Sequence, residues 1–322
     1  MKRSATAVAC SNIALIKYWG KSPRGGNLTA VPSLSLTLAG MRTRTTVSFD
    51  DGLAEDRLEL GGKELAGRPR ERALKLLDEV RALAGLSARA RLVTANDFPT
   101  ASGLASSASG FAALALAAQA AAGLTLERRE ISALSRRASA SAARSLFGGF
   151  VELLAEADSA EPLAPGDFLD VRMVIAVTTL GEKATGSTDG MLHTQTTSPY
   201  YDAWVKLSPT LFGRARAALL RRDWEELGVH MEQSTLAMHA SMLAADPGLI
   251  YLNDVSLRVI AEVKALRARG TGAFFTMDAG PHVKVLTSTA NAEAVAQALG
   301  QVPGVERVLI SSPGPDAALE AG

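Results

Sequence analysis

The sequence predicts an α+β fold, and three observations carry that reading. Strand-like runs open the chain, at Ala5–Cys10, Leu34–Leu38, Thr43–Phe49 and Arg91–Asn96. An uncharged, alanine-rich helical stretch, Ser106–Ala122, follows them. The second half then runs strand, helices, β-hairpin, helix, strand, an order that places helices on one face of an antiparallel sheet.

The uncharged stretch from Phe98 to Leu126 is long enough to cross a bilayer. Its bulk is alanine, however, and it carries Ser102, Ser106, Ser107 and Ser109, so it reads as a buried helix behind a polar loop. A second helix begins near Thr125, a suitable N-cap, with Glu127 and Glu130 in its first turns and Ile131 and Leu134 facing inward. The segment Ala155–Asp167, punctuated by Pro162, Pro165 and Gly166, marks a boundary between 1–166 and 167–322. Beyond it, Val171–Thr179 reads as a buried strand, and Tyr201–Leu220, Asp223–Leu243 and Ser256–Ala268 as helices, the last ended by Gly270. Ala273–Met277 and His282–Thr287 form the hairpin, followed by helix Asn291–Leu299 and strand Arg307–Ser311.

Composition narrows the function. With 47% hydrophobic residues the chain can bury a sizeable core. A net charge of +1, from 34 basic and 33 acidic residues, leaves no whole-molecule basic field to grip nucleic acid, although a local anion pocket is compatible with it. The single cysteine, Cys10, precludes an intrachain disulfide, and the histidines at 193, 230, 239 and 282 have no metal-ligand spacing, so no protein-held metal site is expected. The N-terminus lacks the apolar run of a secretory signal, which makes the cytoplasm the expected location and a membrane no expected partner.

Five segments carry chemistry. The run from Pro99 to Ser109, PTASGLASSAS, follows a strand and opens a helix; its small residues leave backbone N–H groups and the positive helix end open to a phosphate chain. Asn12–Lys21, NIALIKYWGK, places Lys17 and Lys21 around Tyr18 and Trp19, a clamp for a polyanion. In Ser139–Arg144, Ser141 and Arg144 share a helix face, whereas Ser139 joins them only if the helix starts or bends there; the arginine fork suits a carboxylate or phosphate. Asp278, in the tight turn Thr276–Pro281, is either a lone acid pointing into a cleft or an Asx-turn residue capping its own backbone. Lys183–Thr188 offers hydroxyls beside a lysine, either at a site or in a plain loop. Gly20-Lys21-Ser22 is not a Walker A loop, because Leu15 stands where its first glycine belongs, and GxGxxG and GxSxG are absent. Together the segments fit phosphoryl transfer to a small anionic alcohol.

PTASGLASSAS resembles the phosphate loop of the GHMP small-molecule kinases. NIALIKYWGK, ASASAARSLFGGFVE, TGSTDGM, TTSPYYDAWV and TMDAGPHV resemble, in order, the motifs of the diphosphomevalonate decarboxylases within that superfamily. The resemblance implies a ribosomal-S5-like N-terminal half and a ferredoxin-like C-terminal half with the cleft between them. It implies ATP and Mg2+ as cofactors, a mevalonate phosphate as substrate, and a homodimer. The implied reaction is phosphorylation of the 3-hydroxyl of 5-diphosphomevalonate, then loss of phosphate and CO2 to give isopentenyl diphosphate. A relative acting on 5-phosphomevalonate or a bisphosphorylated mevalonate, or a ligand sensor without turnover, would share the same motifs.

Carried onto this sequence, the resemblance assigns Tyr18, Trp19, Gly20 and Lys21 to the substrate's diphosphate end, with Arg72, or Arg70 in its place, beside them. Ser139, Ser141, Ser187 and Thr188 would hold the substrate, with Arg144 on its C1 carboxylate and Lys17 beside the reacting groups. Ser102, Gly103, Leu104, Ala105, Ser106, Ser107, Ala108 and Ser109 would wrap the ATP phosphates, and Asp278 would accept or orient the hydroxyl proton. Two departures stand out: Thr29-Ala30-Val31-Pro32-Ser33 replaces a more polar family run, and Ala138 and Ala140 replace glycines around Ser139.

Overall fold

The computed structural model describes residues 3–98, 106–179, 181 and 185–320. The first sheet is built on two long strands, β1 (Arg3–Ile16) and β2 (Ser33–Asp50), joined by β3 (Arg57–Leu60), β4 (Lys63–Glu64), β5 (Arg89–Asn96), β6 (Phe150–Leu153) and β7 (Glu161–Ala164). Helices α1 (Gly67–Ala84), α2 (Ser106–Ala121) and α3 (Arg128–Ala138) and a 3-10 turn, Ala140–Leu146, accompany it. The second half contains β8 (Val171–Val177), α4 (Ser187–Thr197), α5 (Tyr201–Leu220), α6 (Trp224–Leu243), α7 (Asp254–Ala268), β9 (Ala273–Thr276), β10 (Val283–Ser288), α8 (Ala292–Gly300) and β11 (Arg307–Ser311). A last short strand, β12 (Ala318–Leu319), returns to pair with β1 in the first sheet.

The α+β expectation holds, with corrections that have physical causes. Leu34–Leu38 and Thr43–Phe49 are one strand, because a register shift of the β1–β2 pair, with Cys10 opposite Arg42 and Asn12 opposite Thr37, takes up the extra residues around Gly40 without ending β2. β2 then pairs with β5 beyond Thr43 and with β6 before Leu36. The first sheet is not wholly antiparallel, since β3 runs parallel to β5. Two helices are additional to those expected. In α1, Ala73, Leu76, Leu77 and Val80 form a narrow buried stripe among charged residues, and Gly85 ends the helix in the left-handed region at φ 62°. In α4, the hydroxyl-rich segment starting at Ser187 is helical rather than a loop. The cap of α3 is Glu127, not Thr125, in a reciprocal capping box with Glu130.

The uncharged helix is a core element, as expected. Ala112, Ala113, Ala115, Ala117 and Ala118 of α2 are fully buried, because small side chains let the helix lie close against β1 and β2. Among the described residues no helix is long and apolar enough to cross a membrane.

The second sheet, in the order β11-β8-β10-β9, has both faces covered, which corrects the one-sided expectation. In β8, Val174 and Ala176 pack toward α7 and α8, whereas Met173, Ile175 and Val177 join a cluster with Ile13, Leu15 and Leu36 of the first sheet and with α5 and α6. Burial on both faces is why β8 reads as a continuous apolar run rather than an alternating one. That shared cluster lies across the two halves and brings the end of β1 against the hairpin β9–β10.

Candidate active site

One cavity of about 640 Å³ lies where the end of β1, the start of α2, the 3-10 turn, the start of α4 and the β9–β10 loop meet. Lys17, Tyr18, Trp19, Lys21, Arg72, Ser106, Ser107, Ser139, Ser141, Arg144, Ser187, Thr188 and Asp278 all line it. Arg72 lines it and Arg70 does not, which separates the two arginines that the sequence left open. Ser102, Gly103, Leu104 and Ala105 lie outside the described residues, as does Lys183.

Arg144 is the most constrained of these side chains. The 3-10 turn begins after Ser139, whose extended backbone supplies the bend that its cavity position requires. Arg144 is 1% exposed. Its Nε and Nη2 donate to Asn12 Oδ1 at 3.2 and 3.1 Å, and its Nη1 donates to Ser33 Oγ at 2.7 Å. Asn12 is fixed in turn by donating Nδ2 to the Ser141 carbonyl and to Ser145 Oγ. The guanidinium also lies 5.7 Å from the centre of the Tyr18 ring. Among the described residues no carboxylate is within ion-pairing distance of Arg144, so the fork is held by neutral acceptors and Asp278 acts on its charge only from a distance. Burial accordingly pushes its pKa below the usual arginine value.

Asp278 reaches the same cavity from the opposite half. Its loop is pinned at Pro281, whose carbonyl accepts from Thr178 Oγ1 at 2.9 Å and from Ser256 Oγ at 2.6 Å. The carboxylate turns to two lysines rather than to its own turn: Oδ1 accepts from Lys17 Nζ at 2.6 Å and Oδ2 from Lys284 Nζ at 3.1 Å. Burial favours the neutral acid, but the charges of Lys17 and Lys284 outweigh it and hold Asp278 well below the usual carboxylate range. Lys17, itself 1% exposed, is pulled down to about 8 by burial and by Lys284 and Arg144, against the attraction of Asp278. His239 of α6 is pulled down to about 4 by burial and by Lys17, so at neutral pH it is an uncharged neighbour.

The Tyr18–Lys21 turn forms one wall. Gly20 has φ 109°, and a Cβ there would lie 1.9 Å from Tyr201 Oη, so only glycine fits; the residue shapes the turn but does not line the cavity. Trp19 packs edge-on against Tyr251, and its carbonyl accepts from Trp204 Nε1 at 2.9 Å. Lys21 donates to Asn27 Oδ1, sits 5.6 Å from the Tyr18 ring centre, and is pulled down to about 8 by burial and by Arg72 and Arg136. The facing rim joins α1 to α4. Arg72 Nη2 donates to Thr188 Oγ1 at 2.8 Å, and Arg68 pairs with Asp189.

At the start of α2 the expectation needs trimming. Ser106 and Ser107 border the cavity, but Ala108 and Ser109 are fully buried. The Ser109 hydroxyl is engaged with Thr43 Oγ1 at 2.6 Å and Ser11 Oγ at 3.0 Å, so it cross-links helix to sheet and its side chain is not available to a phosphate.

Family models match both halves of the chain. Residues 9–164 match the diphosphomevalonate decarboxylase-like N-terminal domain, and residues 173–310 match the mevalonate 5-diphosphate decarboxylase C-terminal domain. A diphosphomevalonate decarboxylase of Candida albicans is 36% identical, the match covering 94% of this chain and 90% of that one. The chain belongs to the diphosphomevalonate decarboxylase family.

Solved structures of the family agree. The mevalonate diphosphate decarboxylase of Staphylococcus aureus superposes with a TM-score of 0.94 at 36% identity, covering 100% of this chain and 99% of that one. MDDEF in complex with MVAPP, AMPPCP and magnesium superposes with a TM-score of 0.93 at 38% identity, covering 100% of both chains. The GHMP kinase fold implied by the motifs is therefore the fold of this chain.

The structure also brings into the site residues that the sequence reading did not single out. Asn12 and Ser33 hold Arg144, Lys284 holds Asp278, His239 lies beside them, and Arg68 with Asp189 closes the rim. Lys284 did leave a signal: it is a lysine in the middle of an apolar strand run, Val283–Leu286. Asn12 and Ser33 lay inside marked segments, NIALIKYWGK and Thr29–Ser33, but nothing in either segment assigned them to Arg144.

Proposed function

We propose that this chain catalyses the ATP-dependent decarboxylation of (R)-5-diphosphomevalonate to isopentenyl diphosphate, ADP, phosphate and CO2. The observation that carries the reading is Arg144: a fully buried, rigidly held cation without a carboxylate partner among the described residues, sharing a cavity with an ionised Asp278 and the start of α2. A buried, unpaired guanidinium is costly unless an anion completes it, and a C1 carboxylate matches its fork. Family membership and the match to a complex holding MVAPP, AMPPCP and magnesium support the same substrates.

In this reading Arg144, Ser139 and Ser141 hold the carboxylate end. Tyr18, Trp19, Lys21, Arg72, Ser187 and Thr188 hold the diphosphate end, with Gly20 shaping the turn between Trp19 and Lys21. Ser106 and Ser107 face the nucleotide, with Ser102, Gly103, Leu104 and Ala105 as the rest of its loop and the backbone of Ala108 and Ser109 behind them. The 3-hydroxyl is tertiary and crowded, so fixing its direction matters more than bulk basicity. Asp278 accepts a hydrogen bond from that hydroxyl and aims its oxygen at the γ-phosphorus. Lys17, an ammonium below about pH 8, donates to Asp278 and keeps it ionised, so the hydroxyl proton passes through Asp278 only in transit and leaves on a phosphate oxygen of the products. After the O–P bond has formed, the C3–O bond breaks and phosphate leaves with its electron pair, while the C1–C2 pair moves into a C2–C3 double bond and CO2 departs. Positive charge developing at C3 is stabilised by the Asp278 carboxylate.

The hydroxyls of Ser106 and Ser107 fit a magnesium ion that is bound mainly through nucleotide phosphates, where it would neutralise charge developing on the transferring group. The halves 1–166 and 167–322 would act as the two walls of the cleft, and we extend the reading to a cytoplasmic homodimer. The test is product analysis after mixing the protein with Mg-ATP and 5-diphosphomevalonate, 5-phosphomevalonate or a bisphosphorylated mevalonate, scoring ADP and CO2 separately. Both products from 5-diphosphomevalonate alone are expected. ADP without CO2, or turnover of another mevalonate phosphate only, would replace the reading.

A further inference from the structure

We propose that Lys284 is a positioning residue for the decarboxylation reaction, acting through Asp278 without touching substrate; this rests on the function proposed above. Lys284 is fully buried, and it does not line the cavity. Strand parity puts it there. In β10, Val283 and Val285 face α7 and α8, so Lys284 and Leu286 face the opposite side, toward the end of β1. Its ammonium lies 3.1 Å from Asp278 Oδ2, while Lys17 takes Oδ1 at 2.6 Å. The carboxylate is thereby bridged at both oxygens and has one orientation instead of the freedom a single partner would leave.

Among the described residues, the buried cations Lys17, Lys284 and Arg144 lie around the carboxylate of Asp278, whose side chain is 28% exposed. The division of labour is geometric. Lys17 borders the cavity and can meet substrate, whereas Lys284 is sealed behind Asp278. Lys284 therefore acts on the reaction through the orientation and field it gives Asp278. It also acts on Lys17: its positive charge lowers the Lys17 pKa, and its removal lets that pKa rise above 8. The charged or titratable groups facing this cluster are Lys17 from β1, Tyr18 next to it, Arg144 from the 3-10 turn and His239 from α6.

The experiment compares Lys284→Met, Lys284→Gln and Lys284→Arg in pH profiles of kcat and in a double-mutant cycle with Asp278→Asn. Neutralising Lys284 should lower kcat by about 10-fold or more with KM values within about threefold, as loss of an orienting contact made in the transition state requires. The basic limb near pH 8 should move upward in Lys284→Met and Lys284→Gln but stay in place in Lys284→Arg. In the Asp278→Asn background, Lys284→Met should have no further effect on turnover. Gln keeps a donor at the carboxylate, so it serves if the Met variant does not fold. An unmoved limb, a fully additive cycle, or a change in KM alone would overturn the proposal. A wild-type protein that releases no CO2 would instead remove the functional reading on which it rests, and this proposal with it.

Discussion

The two ends of the cavity are built on opposite principles. At one end, Arg144, Asn12, Ser33, Lys17 and Asp278 are locked by hydrogen bonds between buried strands, with Arg144 and Lys17 each 1% exposed. At the other, α1 and α4 meet through Arg72–Thr188 and through Arg68–Asp189, whose side chains are 60% and 49% exposed. Buried dipoles that cannot relax cost nothing to reorganise during reaction, which suits groups acting on developing charge. Exposed arginines exchange partners readily, which suits groups that only have to hold a diphosphate tail. The contrast leads to the prediction that the locked end sets turnover and the rim sets affinity.

Substitutions at each end sharpen or break that division. Asp278→Ala should cost on the order of 10^3-fold or more in turnover with substrate binding largely kept, as steady-state and binding measurements would separate. Arg144→Lys should lower kcat by roughly 10^2-fold, because a point charge cannot span Asn12 and Ser33 while presenting a fork to the carboxylate. At the rim the pattern should invert: Arg72→Ala should raise the KM for the mevalonate substrate by about tenfold and leave kcat within about threefold. Arg68→Ala, which removes an exposed pair, should change either parameter by no more than about twofold, and the difference should shrink further in high salt. A large kcat effect at Arg72, or a pure KM effect at Arg144, would erase the distinction between the ends.

Much of the fold was legible because its signals are local. The alanine-rich α2, the hairpin β9–β10 with Asp278 in its loop, and helices α5 and α6 appear close to where their patterns place them. What was missed depended on partners distant in sequence. Whether β2 continues through Gly40 depends on a register shift against β1, and α1 shows only a narrow stripe, Ala73, Leu76, Leu77 and Val80, amid arginines and glutamates. The site divides in the same way. Lys17, Arg144, Ser141 and Asp278 were found as chemical types in family motifs. Their supports, Asn12, Ser33 and Lys284, are ordinary strand residues until pairing of strands decides which way they face. Ser109 is the reverse case: a motif serine whose side chain serves the core, because helix periodicity turns it from the cavity toward Thr43 and Ser11.

The central claim is that one locked constellation performs both phosphoryl transfer and decarboxylation. A rapid-quench single turnover with Mg-ATP and 5-diphosphomevalonate labelled at C1 tests it most directly, run on the wild type and on Asp278→Ala. One labelled CO2 for each ADP is expected in the wild type, and the loss of both together, by about 10^3-fold, in the variant. Labelled CO2 formed without ADP, or an Asp278→Ala protein that turns over at the wild-type rate, would contradict it.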